Sequence, residues 1–220
     1  MKKRVLKVYF AGDLFDSKDL GGNVMLASAM EKVSGGRYQV ILPQDGECEI
    51  VNRTSQSIRD CDFWQLFQSD LIVANFDGHD LDSGTVTEFC FAKMVDIPAV
   101  LLRTDFRFSG DGTLPDGDPW NLMCSHYPRT EVRHINGMKL YHECRSGAGG
   151  IELYYQRIAA IVTEAMDTVI TQPSWLKADQ ALGQYRNAVK SIGGSLDKLL
   201  DEQSLANVVT GKIAAGIYGA

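Results

Sequence analysis

The sequence predicts a doubly wound α/β fold, a parallel sheet with helices on both faces, of the Rossmann and flavodoxin type. Two observations carry that reading. Short apolar runs at 71–76 (LIVANF) and 99–102 (AVLL) are rich in aliphatic and β-branched residues, as strands buried on both faces are. They alternate with stretches whose apolar residues recur at helical spacing, in the order β-α-β-α-β-α-β, and such alternation builds a parallel sheet with crossover helices.

Residues 5–10 form the first expected strand, with Ala11, Gly12 and Asp13 as the turn at its end. From 18 to 34, Leu20, Val24, Ala27 and Met30 fall at helical spacing, and Gly35 and Gly36 end the helix as C-cap glycines do. The second strand is 38–42, stopped by Pro43, and a solvated acidic loop with Asp45, Glu47 and Glu49 follows. Residues 54–69 fit an amphipathic helix whose core face is Ile58, Cys61, Trp64, Leu66 and Phe67. The strand at 71–76 runs into Asp77, Gly78, His79 and Asp80, and a helix over 83–95 begins with Asp82 or Ser83 as N-cap. Pro98 precedes the strand at 99–102. A polar loop rich in Gly, Asp and Pro spans 106–119, and 139–142 reads as a small fifth strand. Helical patterns cover 151–171, broken at Pro173, and 175–203, interrupted at Gly193 and Gly194, before an Ala- and Gly-rich tail. The chain divides accordingly into an α/β domain at 1–145 and a helical extension at 146–220 that proposes no chemistry.

The 220 residues suffice to bury a substantial core. A net charge of -6 argues against a nucleic-acid polymer, which calls for clustered Lys and Arg, and leaves a small molecule or a protein as partner. The five cysteines contain no C-x-x-C pair and suggest neither a disulfide framework nor a zinc site, so reduced thiols are expected. The N-terminal apolar run is too short for a signal segment, and no run approaches the ~18 apolar residues of a membrane span. A cytoplasmic protein without membrane contact is the expectation.

Chemistry is expected just past the 71–76 strand, because open α/β sheets bind ligands outside the carboxyl ends of their strands. Glu88 follows Thr85 by three residues and Gly84 by four, on the same helix face, so its carboxylate is aimed at that crevice.

The motif Asp82-Ser83-Gly84-Thr85-Val86-Thr87-Glu88, after Asn75-Phe76-Asp77-Gly78 and together with Tyr9-Phe10-Ala11-Gly12, resembles the nucleoside 2-deoxyribosyltransferase family over about residues 4–145. The resemblance implies transfer of a 2-deoxyribosyl group between purine or pyrimidine bases, with 2'-deoxynucleosides and free nucleobases as substrates and neither metal nor organic cofactor. By the same resemblance Glu88 is the nucleophile that attacks the anomeric carbon, Asp82 contacts the base and helps its protonation, and Asp62 contacts the base as well. Tyr9 orients the nucleophile and Phe15 packs on the base. Asn121 and Met123 match a segment that reaches into the neighbouring subunit's site, which implies a homodimer or higher homo-oligomer with shared sites. Asp77 and Gly84, the latter leaving room for the sugar, complete the expected substrate contacts. Where the family often carries a glutamine four residues past the proline, this chain has Glu47.

These residue types suit that chemistry. Displacing a base from C1' passes through an oxocarbenium-like state, which an anionic carboxylate stabilises and can trap as a covalent intermediate. The departing base needs a proton, and Asp82 is the candidate to supply it, provided that burial or the nearby Asp77, Asp80 and Glu88 raise its pKa, as clustered carboxylates do. Three rivals share the fold. A hydrolase of deoxynucleoside 5'-monophosphates would need a phosphate cradle at the first strand end, where Asp13 would repel phosphate. A non-catalytic nucleotide-binding module would work without Glu88. A nicotinamide-binding enzyme would show G-x-G-x-x-G in the first turn, and this chain does not.

Overall fold

The computed structural model of the chain describes residues 4–46, 53–107, 117–145 and 149–219. Five strands form one parallel sheet in the order β2-β1-β3-β4-β5. They are β1 Leu6–Ala11, β2 Tyr38–Ile41, β3 Leu71–Asn75, β4 Ala99–Arg103 and β5 Thr130–His134. The register sets Tyr9 of β1 between Ile41 of β2 and Ile72 of β3, at the centre of the sheet.

Side chains alternate between the two faces, and each face has its own core. Val8, Phe10, Leu71, Val73, Val100 and Leu102 point to one side, covered by helices α1 (Ser17–Val33) and α5 (Gly150–Val169). Tyr9, Ala11, Ile72, Ala74, Ala99 and Leu101 point to the other, covered by α2 (Ser55–Gln68) and α3 (Ser83–Met94). Fully burying such a side chain stabilises the fold by ~1.5–3 kcal/mol. Because α1 and α2 lie on opposite faces while β2 and β3 flank β1, the winding reverses between β1 and β3. That reversal opens a crevice at the carboxyl ends of those two strands.

The fifth strand is Thr130–His134 rather than 139–142. As an edge strand it is only half covered, so its sequence TEVRH carries one aliphatic residue and no apolar run. Residues 139–142 lie in helix α4 (Gly137–Arg145), where Asn136 holds the first turn by accepting from the Lys139 and Leu140 backbone N–H groups, through its side chain and its carbonyl respectively.

The C-terminal helices extend the second face. They are α6 (Ala178–Ile192), the single turn α7 (Leu196–Leu199) and α8 (Glu202–Ala214). Gly193 and Gly194, at φ of 66° and 71°, make the turn after α6, and residues read as tail belong to α8. Tyr185 and Tyr218 are buried against α2 and α3, Tyr185 stacking edge-on to Phe67. Asp96 and Arg129 form a buried ion pair at 2.8 Å, and Arg129 also donates to the Ile217 carbonyl at 2.9 Å. The buried Lys212 donates to the Ser69 carbonyl. Helix α5, across the expected division at 145 and 146, packs on α1 and on the sheet itself.

Cys90, Cys124 and Cys144 are free, but Cys61 is disulfide-bonded, which corrects the expectation that all thiols are reduced. Among the described residues no helix is long and apolar enough to cross a membrane.

Candidate active site

Tyr9 leaves β1 toward α3, and its fully buried ring brings the hydroxyl to the Glu88 carboxylate, donating to Oε1 at 2.5 Å. Helix α3 starts where it does because Asp82 caps it. The Asp82 carboxylate accepts from the Thr85 backbone N–H at 2.6 Å and from the Thr85 hydroxyl at 2.9 Å. A Cβ on Gly84 would lie 3.0 Å from that same carboxylate, so glycine fits the capped turn. Thr85 therefore serves Asp82 and not Glu88. One turn on, Phe89 and Ala92 anchor α3 in the core, which leaves Glu88 on the edge facing the crevice.

The loop between Phe76 and Asp82 is fixed from β4. The buried Arg103 guanidinium donates to the Phe76 carbonyl and, at 3.0 Å, to that of Gly78. Asp77 accepts from the backbone N–H groups of Thr104 and Asp105 at 2.5 Å and 2.7 Å and from the Thr104 hydroxyl at 2.7 Å. Arg103 carried no signal in the sequence beyond ending a strand.

A cavity of about 380 Å³ opens at this place. Its floor is Glu88, with Asp82, Gly84 and Thr85 from the start of α3 on one side. Ile58, Cys61 and Asp62 from α2 form the opposite wall, and Gly12, Leu14 and Phe15 from the loop after β1 the third. Pro43, Gln44, Gly46 and Arg53 complete the lining among the described residues. Phe15 lies at the mouth and is 77% exposed. A second opening, between α2 and α3, also reaches Asp62 and Glu88 and is bordered by Ser55, Arg59 and Thr87.

Burial dominates the electrostatics. It pushes the Glu88 carboxyl up to about 8; the nearby Asp62 and Asp82 add to the rise, and the Tyr9 hydrogen bond opposes it by stabilising the anion. Asp62 is pushed up to about 6 by burial. The Tyr9 hydroxyl is raised well above its ordinary value by burial first and then by Glu88, so it stays a donor. Two carboxyls of raised pKa, Glu88 and Asp62, thus line one space, and the buried Tyr9 hydroxyl holds the first of them from behind.

The structure brings together Tyr9, Phe15, Asp62, Asp82, Gly84 and Glu88. Asp77 is not among them: it faces a separate polar cavity on the α1 side of the sheet, with Asp13, Asn75 and Thr104. Nor are Asn121 and Met123, which form an exposed turn where the Asn121 side chain accepts from the Met123 N–H at 3.0 Å. Glu47 lies outside the described residues. Arg53 and Ile58 line the cavity without having been singled out, since a lone Arg before a helix and an apolar helix residue read as solvated and core positions. No group of three or more His, Cys, Asp or Glu among the described residues is arranged to hold a metal ion.

The sequence profile of the nucleoside 2-deoxyribosyltransferase family matches residues 8–123, a span that begins just before Tyr9 and ends at Met123. The chain belongs to the nucleoside 2-deoxyribosyltransferase family. The match takes in β1 from Val8 on, β2 to β4 and α1 to α3, with every described residue that lines the cavity, and stops before β5 and the C-terminal helices. Among solved structures, a conserved protein from Enterococcus faecalis V583 is similar at 26% identity, with a TM-score of 0.50 over 65% of this chain and 99% of that one. A 2-deoxyribosyltransferase from Bacillus psychrosaccharolyticus is 16% identical, with a TM-score of 0.40 over 47% of this chain and 77% of that one. No curated protein matches the chain. Membership of the nucleoside 2-deoxyribosyltransferase family implies nucleoside and nucleobase substrates.

Proposed function

We propose that the chain transfers a 2-deoxyribosyl group between nucleobases through a covalent glycosyl-Glu88 intermediate. The observation that carries this reading is the Glu88 carboxylate, held by the Tyr9 hydroxyl in a cavity whose other acidic lining residues are Asp62 and Asp82. In the first half-reaction the Glu88 oxygen attacks C1' as the C1'–N bond breaks, and the bonding pair leaves with the base. Glu88 is more basic than an ordinary carboxylate because it is desolvated, which makes it a better nucleophile once ionised. Asp62, with its carboxyl near 6, hands the departing base a proton and takes one from the incoming base. Asp82 fixes the start of α3 and offers its remaining lone pairs to the sugar and base. In the second half-reaction the new base attacks C1' and Glu88 leaves.

The assembled enzyme is a homo-oligomer in this reading. Asn121 and Met123 are exposed on the monomer, and the opening between α2 and α3 gives a second chain's segment a route to Glu88. Exposed Leu122 and Met123, 56% and 70% accessible, are suited to being covered by that contact.

Incubating the protein with a 2'-deoxynucleoside and a different free base tests the proposal. A new deoxynucleoside, separated by chromatography and missing with Glu88→Ala, supports transfer. Base release alone supports the hydrolase, and no reaction across several bases supports a binding module.

A further inference from the structure

Among the described residues that line the Glu88 cavity, Arg53 is the single cation, set against Asp62, Asp82 and Glu88. The other polar side chains there are partly or wholly engaged. The Gln44 amide donates to the Leu20 carbonyl at 3.1 Å and its oxygen accepts from Asn23 at 3.2 Å, while the Thr85 hydroxyl is spent on Asp82. No hydrogen bond or ion pair engages Arg53 among the described residues.

The helix that follows offers Arg53 no counter-charge in its first turn. Arg53 directly precedes Thr54, the N-cap of the fourteen-residue helix α2, and the first turn of that helix contains no acid. The amino end of a helix carries partial positive charge, so an unpaired cation there is disfavoured. The cavity thus carries one guanidinium beside three carboxylates among its described lining residues.

We propose that Arg53 makes the cavity selective for 6-oxopurines over adenine, a reading that rests on the glycosyl transfer set out above. When the C1'–N9 bond breaks, its electron pair stays on the base and delocalises toward O6, while C1' bonds to the Glu88 oxygen. The guanidinium fork donates to the two acceptors O6 and N7 on one edge of hypoxanthine or guanine, where it also meets the developing charge. The proton from Asp62 then goes to N3 on the opposite edge, which leaves a neutral base. Adenine presents an amino donor where O6 would be, so two donors face one another.

Calorimetric binding of free hypoxanthine and free adenine to the Glu88→Ala protein, with and without Arg53→Gln, tests this independently of turnover. The expected result is hypoxanthine bound about tenfold or more tighter when Arg53 is present, and a preference reduced or reversed by Arg53→Gln, because a glutamine amide matches adenine N6 and N7. Arg53 is exposed, so the variant keeps the parent's circular dichroism. Equal binding of the two bases, or a ratio that Arg53→Gln leaves unmoved, overturns the assignment even if deoxyribosyl transfer is found. The predicted binding ratio without transfer activity would sustain the assignment and refute the transferase. In the active protein the same ratio should appear in kcat/KM for 2'-deoxyinosine against 2'-deoxyadenosine.

Discussion

The hydroxyl of Tyr9 donates a 2.5 Å hydrogen bond to Oε1 of Glu88, joining the middle of the central strand β1 to α3. That bond favours the ionised carboxylate in a place where burial opposes it. Tyr9→Phe keeps the buried ring and removes the donor, so the Glu88 carboxyl rises further. The expected outcome is a loss of about 10- to 100-fold in kcat/KM near neutral pH, from a lost hydrogen bond to a charged group. The acidic limb of the pH profile should also move to higher pH, and a limb that stays in place would contradict this role.

Asp62 acts in the opposite sense. Its charge raises the Glu88 carboxyl, so Asp62→Asn lets Glu88 ionise at lower pH and shifts the acidic limb downward. The same variant removes a proton carrier, and turnover of a substrate whose base departs poorly should fall by roughly 100-fold. Comparing pH profiles for substrates with good and poor leaving bases separates the two effects.

Glu88 also costs stability as pH rises. Its folded-state carboxyl, pushed up to about 8 from an ordinary 4.5, keeps its proton while the unfolded chain has already released it. The stability it contributes is therefore full below about 4.5 and is lost on going up through about 8. Glu88→Gln escapes that loss, and should be more stable than the parent by about 1–3 kcal/mol at pH 8 with no gain at pH 4. Thermal melts at the two pH values check the sign.

Asp13 stands in a crowd of carboxylates, raised by burial and by Asp82, Asp19, Asp77 and Asp16. Asp16 in addition occupies the amino end of α1, accepting from the backbone N–H groups of Lys18 and Asp19. Asp13 lines the neighbouring polar cavity on the α1 side, yet it feels the charge of Asp82 in the Glu88 cavity, so a 5'-phosphate reaching toward the end of β1 would meet negative charge where related folds offer free amides. The protein should therefore favour deoxynucleosides over their 5'-monophosphates, and Asp13→Asn should narrow that preference by about tenfold, as expected for one like charge in a partly desolvated site. Competition between a nucleoside and its monophosphate measures it.

The Asp96–Arg129 pair ties the end of α3 to the C-terminal residues, because Arg129 also holds the Ile217 carbonyl and the Ser174 hydroxyl donates to Asp96 at 2.5 Å. Asp96→Ala leaves a buried guanidinium without its counter-charge and should cost about 3–5 kcal/mol. Denaturant unfolding followed by Trp and by far-ultraviolet signals should remain one transition in the parent, since both cores share the sheet.

Most of the fold was legible because buried parallel strands write themselves as apolar runs and their helices as periodic ones. Leu71 to Asn75 and Ala99 to Arg103 are buried on both faces and were found. Thr130–His134 was missed because an edge strand needs little apolar surface, and the Leu140–Tyr141 pair imitated a strand while an Asn136 cap made it helical. At the site, Tyr9, Asp62, Asp82 and Glu88 were legible as an ordered motif. Arg103 and Arg53 were not, because what distinguishes them is burial against three carbonyls in one case and an unpaired charge in a cavity in the other, and neither leaves a mark on neighbouring residue types. Asp77 read as a substrate contact from its place after β3, yet its oxygens are taken up by Thr104 and Asp105.

The central claim is that Glu88 bonds to the sugar. Intact-protein mass spectrometry after incubation with a 2'-deoxynucleoside and no acceptor base tests it most directly. The account predicts a mass gain of one 2-deoxyribosyl group, located by peptide mapping to Glu88, absent from Glu88→Gln, and discharged on adding a free base. Base release with no adduct, or an adduct on another residue, would contradict it.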